Sequence, residues 1–490
     1  MSDTEELLSN ELEKYVSNTD RDIYTVSNIP EEVIAVIFAY VSRSPKSFRD
    51  NIGVVIEEEQ FGQERASKFH EKWVLNYGHA SVAEHATVHI GIENVSRLFS
   101  SVLELSNEFL SFTEYSQRYQ KPVKGDFYTP FELNDHAELK YEFQDICNKQ
   151  YDIYARLNDK LFEYLKEAIP TPDGMEERIH HRTLEKVAFE DARYALNLAT
   201  NTNLGMTGNA RALEDCLSIL LSSRYSEVRE RAREIKEEVK FSVPTLIKYA
   251  NENDYIVNTR KTNEELGNNY SNNPGKDIKG CEVNILRGRE VSEEQALKKI
   301  LSAIIFEHSD LAFKEIADNV KGKSVEELLP IFQNTVKNIR KYDNPLNVFK
   351  LVEYEAEFVI SEACWHQLLR HRKVDWIYKE PSIAEGITIP PNIEDSGTMD
   401  LLLEAVNLSE DFFNKLRCEN LDVPSNYIVT NAHNRRLIGK FDLWELYHLI
   451  NLRMSEGAQW DIKNVTTILA EKISGFHPNL VKPGIERLNL

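Results

Sequence analysis

Apolar and polar positions along the chain predict short strands that feed amphipathic helices, and the arrangement occurs twice. Residues 281–310, CEVNILRGREVSEEQALKKILSAIIFEHSD, open with a short apolar strand, pass through a turn, and continue as an amphipathic helix ending near Phe306-Glu307-His308-Ser309. Residues 24–45, YTVSNIPEEVIAVIFAYVSRSP, follow the same strand, turn, helix order and end near Ala39-Tyr40-Val41-Ser42. A mostly helical stretch follows each, then an aromatic and arginine-rich segment, then another long helix. Between the two copies lies NENDYIVNTRKTNEELGNNYSNNPGKDIKG, rich in Asn, Gly and charge and poor in apolar periodicity. It reads as a linker over 251–280, separating a domain at 1–250 from one at 281–490.

Composition narrows the classes. With 490 residues, 41% of them apolar, the chain can core two or three domains. No run of eighteen apolar residues occurs, so no membrane partner is expected. The start, MSDTEELLSNELEKY, is acidic and unlike a secretory signal, so the mature protein is expected to begin there and to be cytoplasmic. Five scattered cysteines without a C-x-x-C pair point to reduced thiols rather than disulfides or a zinc site. The formal charge of −22 argues against nucleic acid and acidic membranes as partners. A small anion would have to be held by a few arginines gathered in a pocket.

The first half carries YGHASVAEHATVHIGIENVSRLF, LSFTEYSQRYQ and DARYALNLATNTNLGMTGNARALEDCL; the second carries CWHQLLRHRKVDW and NLRMSEGAQWDIKN. These segments resemble the flavin-dependent thymidylate synthases, whose pattern runs H-x-[ST]-x-x-E-H, S-R, then R-H-R-x-x-S-x-N-E-x-S-x-R-Y. The match is divided between the halves. The first keeps Ser111, Glu114, Ser116, Arg118 and Tyr119 but has Ser106-Asn107-Glu108 in place of Arg-His-Arg. The second keeps Gln367, Arg370, His371 and Arg372, with Asp375, Glu380 and Ser382 where the family has two serines and an arginine. It also keeps Arg453, has Asn426 at the place of Arg193, and echoes GHASVAEH only faintly in NPLNV at 344–348.

The resemblance implies an α+β fold: two tandem synthase-like domains, each of helices packed on a small sheet, forming a pseudo-dimer. It implies one composite pocket, with the nucleotide side from the first half and the Arg-His-Arg flavin side from the second, in a homodimer of full chains. FAD would be the cofactor, with NADPH and methylenetetrahydrofolate as co-substrates and dUMP as the nucleotide converted to dTMP. Arg453 would polarise the uracil ring as the catalytic group. Glu114, Ser116, Arg118, Arg193, Gln367 and Arg370 would bind substrate. Ser42, His79, Ser81, Asn209, Arg211, Arg370, His371 and Arg372 would bind the flavin. Two rivals remain: a flavoenzyme acting on another pyrimidine nucleotide, and a non-catalytic nucleotide-binding protein.

Spacing adds its own expectations. Gln367 and Arg370, three apart, would share one face of a helix. Glu114, Ser116 and Arg118 would line one side of an extended chain. Three or four charge-assisted hydrogen bonds of roughly 1.5–3 kcal/mol each would suffice for a micromolar complex. His85 and His89 have the i, i+4 spacing of a metal pair but no third ligand nearby, so no metal is expected. His180-His181 reads as surface, Ser81 as a helix cap, and Trp460 as core.

Overall fold

A computed structural model describes residues 12–40, 45–57, 67–68, 70–71, 80–270 and 280–489. They fall into two compact units: Met1–Ser116 with Pro130–Glu132 and Asn201–Asn272, and Gln117–Thr129 with Leu133–Thr200 and Asn273–Leu490. The division does not follow the sequence halves, because the segment from Gln117 to Thr200 joins the C-terminal residues apart from Pro130–Glu132.

The first unit holds an antiparallel sheet of β1 (Thr87–Ser96), β2 (Ser111–Glu114) and β3 (Asn201–Asn209), ordered β1-β3-β2. On β3, Thr202, Leu204, Met206 and Gly208 are buried while the residues between them are more open, the period-two pattern of a sheet covered on one face. Leu110 packs against the bare backbone of Gly208, where a Cβ would stand 2.1 Å from Leu110 Cδ2. Two strands end in helices through a side-chain cap. Ser96 accepts from the Phe99 amide to start helix Arg97–Glu104, and Asn209 accepts from the Ala212 amide to start helix Ala210–Leu221. A smaller apolar cluster of Val16, Val33, Val36, Ile37 and Ile52 anchors helix Glu31–Tyr40. The strand expected before that helix is reduced to a single bridge between Val16 and Val26, since Asn28 turns the chain at φ 61° and Pro30 leads into the helix.

Where a linker is expected, residues Asp254–Tyr270 form a helix. Asn253 starts it by accepting from the Tyr255 amide at 2.9 Å. Most of its described side chains are open to solvent and only Ile256, Val257, Thr259 and Arg260 are half-buried, so it carries no long apolar stripe for periodicity to reveal.

Among the described residues, the second unit repeats the design with one strand more. Its sheet is β4 (Glu282–Arg287), β5 (Glu353–Ser361), β6 (Asp375–Tyr378) and β7 (Asn434–Asp442), ordered β4-β5-β7-β6 and antiparallel throughout. Strand β4 and helix Glu293–Glu307, started by a Ser292–Gln295 capping box, are the strand and helix expected from the sequence. Ser361 caps helix Glu362–Leu368 and Asp442 caps helix Leu443–Arg453, as Ser96 and Asn209 do in the first unit. The serines recur in a further bond: Ser96 Oγ donates to Glu227 at 2.6 Å, and Ser361 Oγ to Asp461 at 2.5 Å.

The core of the second unit is built from both sequence halves. Ile153, Leu157, Leu161 and Leu165 of helix Ala137–Ala168 and Leu184 and Ala188 of helix Glu177–Ala192 pack with Leu401, Leu402, Ala405 and Val406 of helix Met399–Cys418. Beside them the backbones pair: Leu198 and Ala199 amides donate to Val429 and Tyr427 carbonyls, and Asn431 and Ala432 amides to Leu196 and Tyr194. Helices on small antiparallel sheets make the fold α+β.

Candidate active site

The Gln-Leu-Leu-Arg-His-Arg segment begins inside a buried helix and ends in a tight turn. Helix Glu362–Leu368 stops with Leu369 as its cap, and Arg370 lies in the turn beyond it. Gln367 and Arg370 therefore do not share a helical face. The chain must reverse within a few residues to enter β6 at Asp375, and hydrogen bonds from the His371 amide to the Leu368 carbonyl and from the Val374 amide to the His371 carbonyl tighten that reversal. One consequence is that Arg370 and Arg372 stand exposed while His371 between them is buried.

Arg453 closes helix Leu443–Arg453 and meets this turn. Its Nε donates to His371 Nε2 at 2.8 Å and its Nη2 to the Gln367 carbonyl at 3.0 Å. His371 Nδ1 lies 2.9 Å from Glu445 Oε1. Burial, then the Arg370 cation and further Arg118, pull the Arg453 pKa down to about 10, so it stays charged at neutral pH. Burial, then Arg453, pushes His371 down to about 3, so its ring is neutral. Both ring nitrogens of His371, which is expected to hold the flavin, are engaged within the protein.

The first half supplies its arginines to the same unit. Arg118 sits in the turn after β2, pairs through Nε with Glu190, and donates from Nη2 to the Gly457 carbonyl at 3.2 Å, four residues past Arg453. Arg193 follows helix Glu177–Ala192, is buried, and donates to the Glu190 carbonyl at 3.1 Å. Asn431 ties it further, donating to the Arg193 carbonyl at 2.9 Å.

Beneath these groups runs a buried polar chain. Gln367 Nε2 donates to Gln459 Oε1 at 3.2 Å, and Gln459 Nε2 to the Tyr194 hydroxyl at 3.2 Å. Tyr194 donates to Asp461 Oδ2 at 2.8 Å. Gln367 Oε1 is buried without a hydrogen-bond partner among the described residues. Asp191 accepts from Trp460 Nε1 at 2.8 Å and Asn392 Nδ2 at 2.7 Å, while burial pushes its pKa up to about 6.

Several expected residues have other surroundings. Glu114 and Ser116 belong to the first unit. Glu114 is buried, taking Arg97 Nη1 at 2.6 Å and Thr202 Oγ1 at 3.2 Å. β2 ends at Glu114, so the expected alternation does not reach Arg118. Ser42 and His79 lie outside the described residues. Ser81 is exposed on the 3₁₀ turn Ala80–His85. Asn209 is spent as a helix cap, and Arg211 Nη1 reaches Glu84 at 2.5 Å. Asn426 donates to the Pro381 carbonyl at 2.6 Å. His85 and His89 share no helix, because β1 begins between them at Thr87, and His89 Nδ1 lies 2.9 Å from Thr207 Oγ1. His180 is buried rather than surface, with Nε2 2.9 Å from the Ile169 carbonyl.

Motif reading missed Glu190, Glu445, His448 and Gln459. Glu445 and His448 were within reach of helical period, being eight and five residues before Arg453 on one helix. His371, Glu445 and His448 bring donor atoms within 4.8 Å of one another. They do not suit a cation: Arg453 donates to His371 Nε2, so the proton sits on Nδ1 and faces Glu445 where a metal would need a lone pair.

The family model for thymidylate synthase complementing protein matches residues 24–245 and 293–479. UPF0159 protein Ta1429 of Thermoplasma acidophilum is 24% identical over 474 residues, 90% of this chain and 93% of that protein. A UPF0159 protein of Chlamydia muridarum is 23% identical over 495 residues, 95% of this chain and 92% of its own length. A flavin-dependent thymidylate synthase of Clostridium tetani is 29% identical over 225 residues, 45% of this chain but 82% of that enzyme. The solved UMP/dUMP methylase PolB of Streptomyces cacaoi, bound with 5-Br dUMP, aligns at a TM-score of 0.35 and 9% identity over 42% of this chain and 96% of its own, too faint a likeness to carry an argument. A half-chain alignment spans most of a single synthase, whereas full-length relatives match nearly end to end. With most of both halves matched, this chain belongs to the thymidylate synthase complementing protein family.

Proposed function

We propose that the second unit binds dUMP and a flavin and that the chain makes dTMP with methylenetetrahydrofolate and NADPH. The observation that carries this reading is the bond from Arg118 to the Gly457 carbonyl, which brings a first-half arginine beside the second-half loop that follows Arg453. Arg118, Arg193, Gln367, Arg370 and Arg453 then serve one nucleotide. Arg118 and Arg193 hold the phosphate through planar guanidinium groups suited to bidentate contact. Gln367, with its buried amide oxygen open to a donor, and Arg453 take the uracil ring. Two bonds fix Arg453. A cation held in place beforehand stabilises negative charge developing on the uracil without reorganising at the moment of reaction.

The exposed Arg370 and Arg372 have the donor chemistry that a dinucleotide diphosphate requires, and these residues would hold FAD. The flavin, when bound, supplies hydride. Co-substrate and nucleotide identity follow from the family pattern and are part of the proposal.

Purified full-length protein tests it directly. The expected result is flavin absorbance, micromolar binding of dUMP, and dTMP formation. Arg453→Ala should abolish turnover and leave the flavin bound, whereas unchanged turnover overturns the assignment. Preference for UMP or dCMP over dUMP would identify a different pyrimidine nucleotide, and nucleotide binding by a colourless protein would identify a non-catalytic binder.

A further inference from the structure

Glu445, His371 and Arg453 form a line of hydrogen bonds. Glu445 and Arg453 are eight residues apart on one helix, about two turns, so both reach the turn that carries His371. The side chains of His371 and Glu445 are each only 2% exposed. The imidazole spans the gap, 2.9 Å from Glu445 and 2.8 Å from Arg453 Nε. An arginine can only donate, so His371 Nε2 must keep its lone pair and Nδ1 must carry the proton toward the carboxylate. Each bond in the line has one direction.

We infer that Glu445, acting through His371, is a positioning residue for Arg453: the carboxylate holds the imidazole in the tautomer that the guanidinium needs, and so fixes where the guanidinium points. The inference rests on the reading of Arg453 as the group that meets uracil. Its chemistry follows the logic by which a carboxylate orients a histidine that must present one particular nitrogen to a partner.

The arrangement responds to pH. Glu445 feels His448 on its own helix, Lys373 on the turn, Asp442 at the helix start, and Arg453 at its end. His448 also meets the His371 ring, with centroids 5.5 Å apart. Burial, joined by Asp442, outweighs His448, Lys373 and Arg453 and pushes the Glu445 pKa up to about 7. Between pH 8 and pH 6 the carboxylate therefore takes up a proton. A carboxylic acid can donate to Nδ1, which favours the opposite tautomer; its Nε2 proton would then face the Arg453 Nε proton, and the arginine would lose its acceptor.

The test compares dUMP affinity of the full-length protein, Glu445→Gln and Glu445→Ala across pH 6 to 8. The nucleotide's own second phosphate ionisation near about 6 is common to all three, so the ratio to Glu445→Gln is the quantity read. The wild type should lose about tenfold more affinity on acidification than Glu445→Gln, the range of one hydrogen bond to a charged group. Glu445→Ala should bind weakly at every pH, with the glutamine, whose amide oxygen still accepts from Nδ1, restoring part of the loss. Equal pH profiles for wild type and Glu445→Gln overturn the inference. If the wild type binds no dUMP, the proposed function fails, and Arg453 Nε–H exchange by NMR decides the positioning alone. That proton, identified by its loss in Arg453→Lys, should be protected in the wild type and unprotected in Glu445→Ala; protection that persists in the alanine variant overturns the inference.

Discussion

Burial acts in opposite directions on Glu445 and His371, and the two effects offset each other over part of the acid range. Glu445 is raised from 4.5 to about 7, so between those values the folded state holds a proton that the unfolded state lacks, and stability falls as pH rises. His371 is lowered from 6.5 to about 3, so between those values the unfolded state holds the extra proton, and stability rises with pH. From pH 4.5 to 6.5 the two slopes cancel. Glu445→Gln removes one of them. Relative to the wild type, that variant should lose about 2–3 kcal/mol of stability on going from pH 6.5 to pH 4.5, read by denaturant titration at each pH. A difference that does not change with pH would show that Glu445 stays ionised in the folded protein, since the His371 slope is common to both.

At the scale of elements, the recurring serines make a matched pair of tests. Ser96 caps one helix and donates to buried Glu227; Ser361 caps its counterpart and donates to buried Asp461. Replacing either by alanine removes a cap and takes a hydrogen bond from a buried carboxylate, a loss of about 1–3 kcal/mol. Ser96→Ala should lower stability and leave nucleotide binding in the second unit unchanged. Ser361→Ala should lower both, because Asp461 also orders Tyr194, Gln459 and Gln367. Equal effects on binding would mean that this polar chain does not reach the nucleotide. The elements themselves were partly legible in sequence. Strand β4 with its following helix could be read from alternation and a Ser-x-x-Gln cap, whereas the exposed helix over Asp254–Tyr270 could not, because an uncovered helix needs no apolar period.

At the scale of the molecule, the second unit is not the product of one sequence half. Its core joins leucines from helices Ala137–Ala168 and Met399–Cys418, and backbone bonds run between residues 194–199 and 427–432. A chain split at the expected domain boundary, into 1–250 and 251–490, should therefore give two pieces that aggregate when made separately, since each exposes its side of that core. Made together they should associate and recover nucleotide binding. A soluble, cooperatively unfolding 251–490 piece would show that the C-terminal half cores itself.

The sequence by itself determined the tandem pattern, the α+β class and the division of family motifs between halves, since these depend on local periodicity, caps and residue identity. It also raised the expectation that Glu114, Ser116, Arg118, Arg193, Gln367, Arg370 and Arg453 bind one substrate. Only the tertiary structure decided their company. It gave His371 to Glu445 and Arg453, and Gln367 to Gln459. It also ended the Gln367 helix before Arg370. A buried polar group must find its partner wherever the packed chain brings one, and partners separated by 74, 82 or more residues leave no mark in local spacing.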